Sequence, residues 1–212
     1  MTRLTWLGLP LVFAVAGCGG NQNTLDPAGH PERSITNLFW VMFAVSIVGF
    51  GLIVFLLFLG WVRRDRPDLP GGRGDAAAMR IVLGFGVAVP VVLLVALFIW
   101  SDFFVMRSTA APAPGSTPLT IHVIGHQWWW EVRYDNSTAV TANEIHIPVD
   151  TRVGVVLTTA DVIHSFWVPE WNRKVDMIPG VDNRLLLIAD HAGTYRGQCA
   201  EFCGLQHANM AV

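Results

Sequence analysis

Charged side chains are scarce in this sequence. Asp, Glu, Lys and Arg make up 14% of its 212 residues, against about 25% in ordinary soluble domains. Basic residues are also few in the C-terminal half, where ten acids face six bases from residue 108 onward, a net charge of −4. A nucleic-acid-binding protein needs clustered Lys and Arg to hold phosphates. The composition therefore argues against nucleic acid as a partner and leaves a basic protein partner open.

Cysteine is nearly as scarce, and the first of the three cysteines lies far from the other two. Arg3, an apolar run over residues 4–15 and small residues leading to Cys18 follow the order of a secretory signal. The ending VAGC also resembles a bacterial lipoprotein signal, which is cleaved before a cysteine that is then acylated. We therefore expect residues 1–17 to be a signal peptide, Cys18 to be lipidated and residues 18–34 to be an outer-face linker. A plain signal peptide with an incidental cysteine is the alternative.

Two long apolar runs interrupt the chain at residues 35–62 and 79–105. Each exceeds the roughly 20 residues that a helix needs to cross a bilayer. The connecting loop, residues 63–78, and the two residues after it carry five arginines against three aspartates. By the positive-inside rule this loop is cytoplasmic, so both chain ends lie on the outer face. Residues 106–118, rich in Pro, Ala and Ser, then form a linker without helix or sheet.

Beyond residue 118 the sequence changes to short apolar runs bounded by Gly, Pro, Asn or Asp. Repeated short segments rich in Val, Ile, Leu, Thr and aromatics predict a β-sandwich or barrel. The predicted strand regions are LTIHVIGHQWWWEVRY, NEIHIPV, TRVGVVLTT, HSFWVPEW and NRLLLIAD.

Four kinds of site could explain the string CAEFCGLQHANM near the C-terminus. A disulfide between Cys199 and Cys203 needs neither His207 nor Met210 beyond it, and a zinc site using His164 leaves the thioether idle. Cys203, His207 and Met210 alone have the donors of a mononuclear blue-copper loop. The extra thiolate of Cys199 favours a binuclear copper site, in which two sulfurs bridge two ions.

The same string, with the pattern C-x-E-x-C-x3-H-x2-M, resembles the binuclear copper A loop of cytochrome c oxidase subunit II. Residues 161–180, DVIHSFWVPEWNRKVDMIPG, are similar to the family stretch that holds the first copper histidine. Residues 125–134, GHQWWWEVRY, resemble its aromatic stretch ahead of the copper domain. The resemblance covers residues 35–212. It implies a two-span transmembrane α-helical hairpin followed by an all-β cupredoxin-like sandwich at residues 119–212.

The resemblance also implies the ligands of two copper ions. Glu201 would act twice, its carbonyl as a weak copper ligand and its side chain towards a magnesium or manganese ion shared with subunit I. The implied copper ligands are bridging Cys199 and Cys203, terminal His164 and His207, and weakly bound Met210 and Glu201.

Further roles follow from the resemblance. Trp128 would accept the electron from cytochrome c, and acids such as Asp161 would join the negative patch that steers this basic partner. The chain would be subunit II of a bacterial cell-membrane oxidase, together with subunit I and subunit III, with its β domain on the periplasmic face. Haem, O2 reduction and proton translocation would belong to subunit I.

Other functions stay open at this point. One is the copper A donor subunit of a nitric oxide reductase, and another is a membrane-tethered copper-binding lipoprotein. A copper-free quinol-oxidase subunit fits poorly, because the ligand residues are intact. The family usually has a further strand after the copper loop, so we expect the domain at residues 119–212 to be truncated at its C-terminus.

Overall fold

A computed structural model describes residue 20 and residues 22–64 and 75–212 of the chain. The predicted signal peptide, Cys18 and most of the predicted cytoplasmic loop lie outside these residues. The described chain divides into two units, one with residues 37–108 and the other with the N-terminal segment through Thr36 and residues 109–212.

Two apolar helical stretches occupy most of residues 30–106. Helix α1 spans His30–Arg63. The second stretch consists of α2 (Asp75–Ile81), a π-helical turn (Val82–Ala88), α3 (Val89–Trp100) and a second π-helical turn (Ser101–Met106). Pro90 has no N–H to donate to the preceding turn, and the first π-helical turn ends just before it.

Both helical stretches are long and apolar enough to cross a membrane. The candidate spans are His30–Arg63 and Met79–Met106. Their large apolar side chains are exposed, including Phe50 at 71% and Phe85 at 69%. Such surfaces are unfavourable in water and favourable in lipid, because burial of apolar area in an apolar environment releases structured solvent.

Residues 119–212 form two packed β-sheets. The strands are β1 Leu119–His126, β2 Trp129–Tyr134, β3 Val140–Ala142, β4 Val153–Thr159, β5 His164–Val168, β6 Arg173–Met177, β7 Asn183–Leu187 and β8 Gln198–Cys199. The first sheet has the strand order β3-β2-β1-β4-β7 and the second has the order β6-β5-β8. Strands β1 and β4 are parallel, and the other paired strands are antiparallel.

The core lies between the two sheets. On β1, the alternation that the sequence predicted buries Ile121 and Val123, while Phe166 on β5 and Met177 on β6 face them from the second sheet. Strand β4 is buried at five successive residues, and Thr117 of the preceding linker covers one of them, Gly154. These contacts make the domain a β-sandwich.

One predicted strand forms no ladder. Residues 143–149, NEIHIPV, belong to neither sheet of the described domain. Ile145 and Ile147 still pack against the core. Pro148 lacks an N–H, and the N–H of His146 donates to the Tyr134 hydroxyl at 2.9 Å rather than to a neighbouring strand. The apolar alternation thus predicted the packing of Ile145 and Ile147 correctly, but the prediction of a paired strand was wrong.

Gly125 allows the two sheets to approach each other closely. A Cβ at this position of β1 would lie 2.8 Å from Cδ2 of His164 on β5. Any larger residue must therefore push the imidazole or the strand aside.

We expect Gly125→Ala to destabilise the domain by about 1–3 kcal/mol through this overpacking. Thermal unfolding of the purified full chain in detergent measures the loss. Gly193→Ala is the matched control, because its Cβ would meet Tyr195 only at 3.8 Å, an ordinary contact. Equal unfolding temperatures for the two variants would contradict the assignment.

Candidate metal centre

The C-terminal loop is closed at its base by backbone hydrogen bonds. The Cys199 N–H donates to the Met210 carbonyl at 2.9 Å, and Gly197 and Val212 exchange two further hydrogen bonds at 2.8 and 3.0 Å. Within the loop, Gly204 has φ +120°, a conformation that favours glycine. These hydrogen bonds therefore place Cys199 and Met210 side by side, although ten residues lie between them in the sequence.

The loop is joined to β5 by the β5–β8 pairing. Phe166 is the ladder partner of Cys199, and the Ala200 N–H donates to the Ser165 carbonyl at 2.9 Å. His164, at the start of β5, is fully buried. Strand pairing thus brings a distant histidine to the loop.

Soft donors converge around the two thiols. The Cys199 and Cys203 sulfurs lie 3.8 Å apart and are not bonded to each other. Cys199 Sγ is 3.8 Å from His164 Nδ1. Cys203 Sγ is 3.6 Å from His207 Nδ1 and 3.8 Å from Met210 Sδ.

The Glu201 carbonyl also reaches this cluster, and the Glu201 side chain does not. Its oxygen lies 3.1 Å from Cys199 Sγ, while the side chain is exposed. The six residues that the sequence singled out as copper ligands are therefore together in the structure.

The thiols are buried, with Cys199 4% and Cys203 3% exposed. Burial, and then the neighbouring Cys199, raise the pKa of Cys203 to about 12. Two thiolates this close together in a low-dielectric site need a cation to balance them. Thiolate, imidazole and thioether donors suit copper, whereas zinc has no use for the thioether. The donor set therefore fits a copper centre.

Asp161 fixes the orientation of the His164 ring. Its Oδ1 lies 2.8 Å from His164 Nε2, and its Oδ2 accepts the Gln127 N–H at 2.7 Å. Burial acts to raise the pKa of Asp161, but hydrogen bonds from His164, Val162 and Gln127 outweigh it and lower the pKa. Because an ionised carboxylate only accepts, His164 Nε2 carries the hydrogen, and the lone pair of Nδ1 faces the thiols.

The aromatic turn before β2 touches the metal loop directly. The Trp128 indole N–H donates to the Cys203 carbonyl at 3.1 Å, and the Gln127 amide donates to the same oxygen at 2.7 Å. Trp128 is half-buried. Trp130 is buried and meets the His164 ring edge-on at a centroid distance of 5.9 Å, whereas Trp129 stacks on His126 away from the site.

Sequence reasoning missed three contributions to this site. Gly125 makes room for His164, Gln127 binds the candidate metal loop, and Asp161 engages the candidate ligand His164 rather than facing only solvent. The spacing DVIH, with an acid three residues before the histidine, was the available signal for the last of these.

The sequence is similar to proteins of one known family. The family described as "Cytochrome C oxidase subunit II, periplasmic domain" matches residues 139–212. Cytochrome c oxidase subunit 2 of Alkalihalophilus pseudofirmus is 36% identical over 216 residues, covering 95% of this chain and 62% of that protein. The Branchiostoma floridae protein of the same name is 37% identical over 115 residues, covering 44% of this chain and 50% of that protein. The chain thus spans less than two thirds of the length of these curated relatives.

A solved structure is also similar to part of the chain. The crystal structure of the periplasmic domain of subunit II of cytochrome oxidase from Bradyrhizobium japonicum is 34% identical, covers 47% of this chain and 84% of that one, and has a TM-score of 0.45. The family predicted from the copper-loop string is confirmed, as is the fold class of two apolar helices followed by a cupredoxin-like domain. The chain belongs to the cytochrome c oxidase subunit II family.

Proposed function

We propose that this chain is the copper A subunit of a bacterial respiratory cytochrome c oxidase. It accepts electrons from cytochrome c at the periplasmic face and passes them to haem in subunit I, where O2 is reduced and protons are translocated. The observation that carries the proposal is the thiol pair 3.8 Å apart, surrounded by two imidazoles, a thioether and a carbonyl.

The chain's own residues would hold two copper ions in a rigid frame. The cysteines Cys199 and Cys203 would bridge, with His164 and His207 as terminal ligands and Met210 and the Glu201 carbonyl as weak ones. Bound copper would supply a one-electron redox couple shared over two ions and two sulfurs. Burial and strand pairing oppose movement of the donors, which keeps the structural change per electron small.

The surface of the metal loop supports docking to protein partners. Phe202 is 76% exposed and Leu205 is 92% exposed, although both are large and apolar. Exposed apolar groups beside a buried site are typical of protein interfaces. The net acidic domain suits the approach of basic cytochrome c, and the exposed Glu201 side chain suits a magnesium or manganese ion shared with subunit I.

The rest of the proposed organisation follows the sequence. Residues 35–62 and 79–105 would span the bacterial inner membrane, with loop 63–78 in the cytoplasm and linker 106–118 leading to the copper domain. Residues 1–17 would be a lipoprotein-like signal and Cys18 a lipidation site before linker 18–34. Subunits I and III would be the membrane partners.

Copper content tests the site first. We expect the purified full chain to bind two copper ions and to give a mixed-valence, seven-line electron paramagnetic resonance spectrum. Cys199→Ser should abolish that spectrum because it removes one bridging sulfur. Cys18→Ser, far away in the sequence, is the matched cysteine control and should retain it. One copper with four lines in the unmodified chain, or bound zinc, would refute the proposal.

Trp128→Phe tests the route of electron uptake. The change removes the indole N–H that binds the Cys203 carbonyl, so electron uptake from cytochrome c should slow several-fold while copper content stays unchanged. Stopped-flow reduction of the assembled oxidase measures the rate. Trp129→Phe is the control, because that ring stacks on His126 instead. Equal rates in the two variants would exclude Trp128 as the acceptor.

Asp161→Ala separates a positioning role from a steering role. Loss of the hydrogen bond to His164 should weaken copper retention by about 10–100-fold, as removal of such outer contacts typically does. Competition with a copper chelator measures retention. Asp161→Asn should recover part of it, because the amide oxygen still accepts from Nε2. Asp182→Ala removes an exposed acid and serves as the charge control.

If Asp161 acts only by steering, the chelator titration of Asp161→Ala will match that of Asp182→Ala. Only the salt dependence of the reaction with cytochrome c would then change.

A further inference from the structure

The chain segment before the first apolar helix is packed into the β domain. The Ala28 N–H donates to the Glu170 carbonyl at 2.8 Å, and the Asp190 N–H donates to the Ala28 carbonyl at 2.8 Å. Ala28 is 3% exposed. At Gly29, a Cβ would lie 2.3 Å from the Ile188 carbonyl oxygen. Residues 28 and 29 are therefore held between the turn before β6 and the chain after β7.

The contact continues into the first turn of α1 with two kinds of ion pair. Asp190 contacts His30 and Arg33 at the surface, where such pairs contribute little. Glu32 is different, because its side chain is fully buried and its Oε1 lies 3.5 Å from Arg173 Nη2. A buried carboxylate that lost its cation would be strongly destabilising.

Arg173 binds more than this carboxylate. Its Nη1 donates to the Thr109 carbonyl at 2.5 Å, and its Nη2 donates to the Leu186 carbonyl at the end of β7. The planar guanidinium can direct several donors to separate acceptors, which an ammonium group does less well. The preceding residue, Asn172, donates from its side chain to the Thr36 hydroxyl at 3.2 Å.

Thr36 and Thr109 have special positions in the chain. The unit that contains the β domain consists of two chain segments, of which the first ends at Thr36 and the second begins at Thr109. The apolar unit, residues 37–108, lies between them in the sequence. The two points at which the chain leaves and rejoins the β domain are therefore bound by consecutive residues, Asn172 and Arg173.

Arg173 also connects to the strand pair that carries His164. Arg173 is the first residue of β6 and pairs with Val168 of β5, and four residues later Met177 pairs with His164. One antiparallel strand pair thus connects the guanidinium to the ligand histidine.

We propose that Arg173 is a positioning residue that anchors both chain connections, through Glu32 and the Thr109 carbonyl, to the strand pair that carries His164. Without this anchor, the segments before the first and after the second apolar stretch would be tied to the β domain mainly by loop contacts. Such connections are mobile by default. The consequence for electron transfer rests on the proposed function, whereas the anchoring itself does not.

Hydrogen exchange of the full chain in detergent, read by mass spectrometry, tests the anchor. In Arg173→Met, peptides covering residues 22–36 and 109–118 should exchange at least about tenfold faster. The reason is that the Glu32 carboxylate and the Thr109 carbonyl both lose their contact with the guanidinium. Peptides from β1 and β4 should keep their protection. Arg152→Met, the same change at an exposed arginine, should behave like the unmodified chain.

Two further variants keep the test decisive if Arg173→Met does not fold. Glu32→Gln removes only the negative charge and should loosen residues 22–36 in the same way. Arg173→Lys keeps the positive charge and should restore part of the protection. Unchanged exchange of both segments in Arg173→Met, or in Glu32→Gln where the first variant is unfolded, overturns the proposal.

A second measurement separates this proposal from the copper assignment. In the assembled oxidase, Arg173→Met should slow electron transfer out of the copper centre while leaving the copper spectrum unchanged. If the copper assignment fails, that spectrum is missing in every variant, and hydrogen exchange of the metal-free chain still decides on the anchor. A slowed transfer with unchanged exchange would count against it.

Discussion

The pairing of β5 with β8 is the constraint on which the metal site depends. It places the strand that starts with His164 beside Cys199, and the hydrogen bond from the Cys199 N–H to the Met210 carbonyl closes the loop beyond it. Backbone hydrogen bonds therefore set the relative positions of the donors before any metal binds. This is the physical basis for a preorganised site, since ligand side chains on rigid elements are held more closely than those on free loops.

Preorganisation continues in the residues behind the ligands. Asp161 selects the His164 tautomer, and Gly125 provides the space in which the ring lies. Trp130, the ladder partner of Gly125, meets this ring edge-on, and its indole N–H lacks a partner among the described residues. A histidine restrained on several sides has little freedom to follow a change of charge on a bound metal. That restraint suits the single-electron transfer proposed for this site.

The sequence predicted the parts of this molecule that depend on local pattern. Apolar length predicted the two helices, alternation predicted the β domain, and the spacing of Cys199, Cys203, His207 and Met210 predicted a loop of donors. Contacts between distant segments could not be predicted in this way. The approach of Gly125 to His164 depends on how two sheets pack, and Glu32 lies 141 residues from Arg173. No periodicity within one segment carries such information, and the role of His164 as a copper ligand came only from the family resemblance.

The hydrogen-bonded contacts of Asp161 and Arg173 follow one physical logic. Each places a charge where desolvation is unfavourable, and each compensates it with several directed hydrogen bonds from separate chain segments. An apolar residue would cost less to bury, but it would not fix a tautomer or hold two carbonyls and a carboxylate at once. Charged residues are scarce in this chain, and the charges of Asp161 and Arg173 hold neighbouring groups in fixed positions. Asp161, three residues before His164, engages both of its carboxylate oxygens in hydrogen bonds within the domain, so its charge orients a neighbouring ring as well as adding to the net acidic charge.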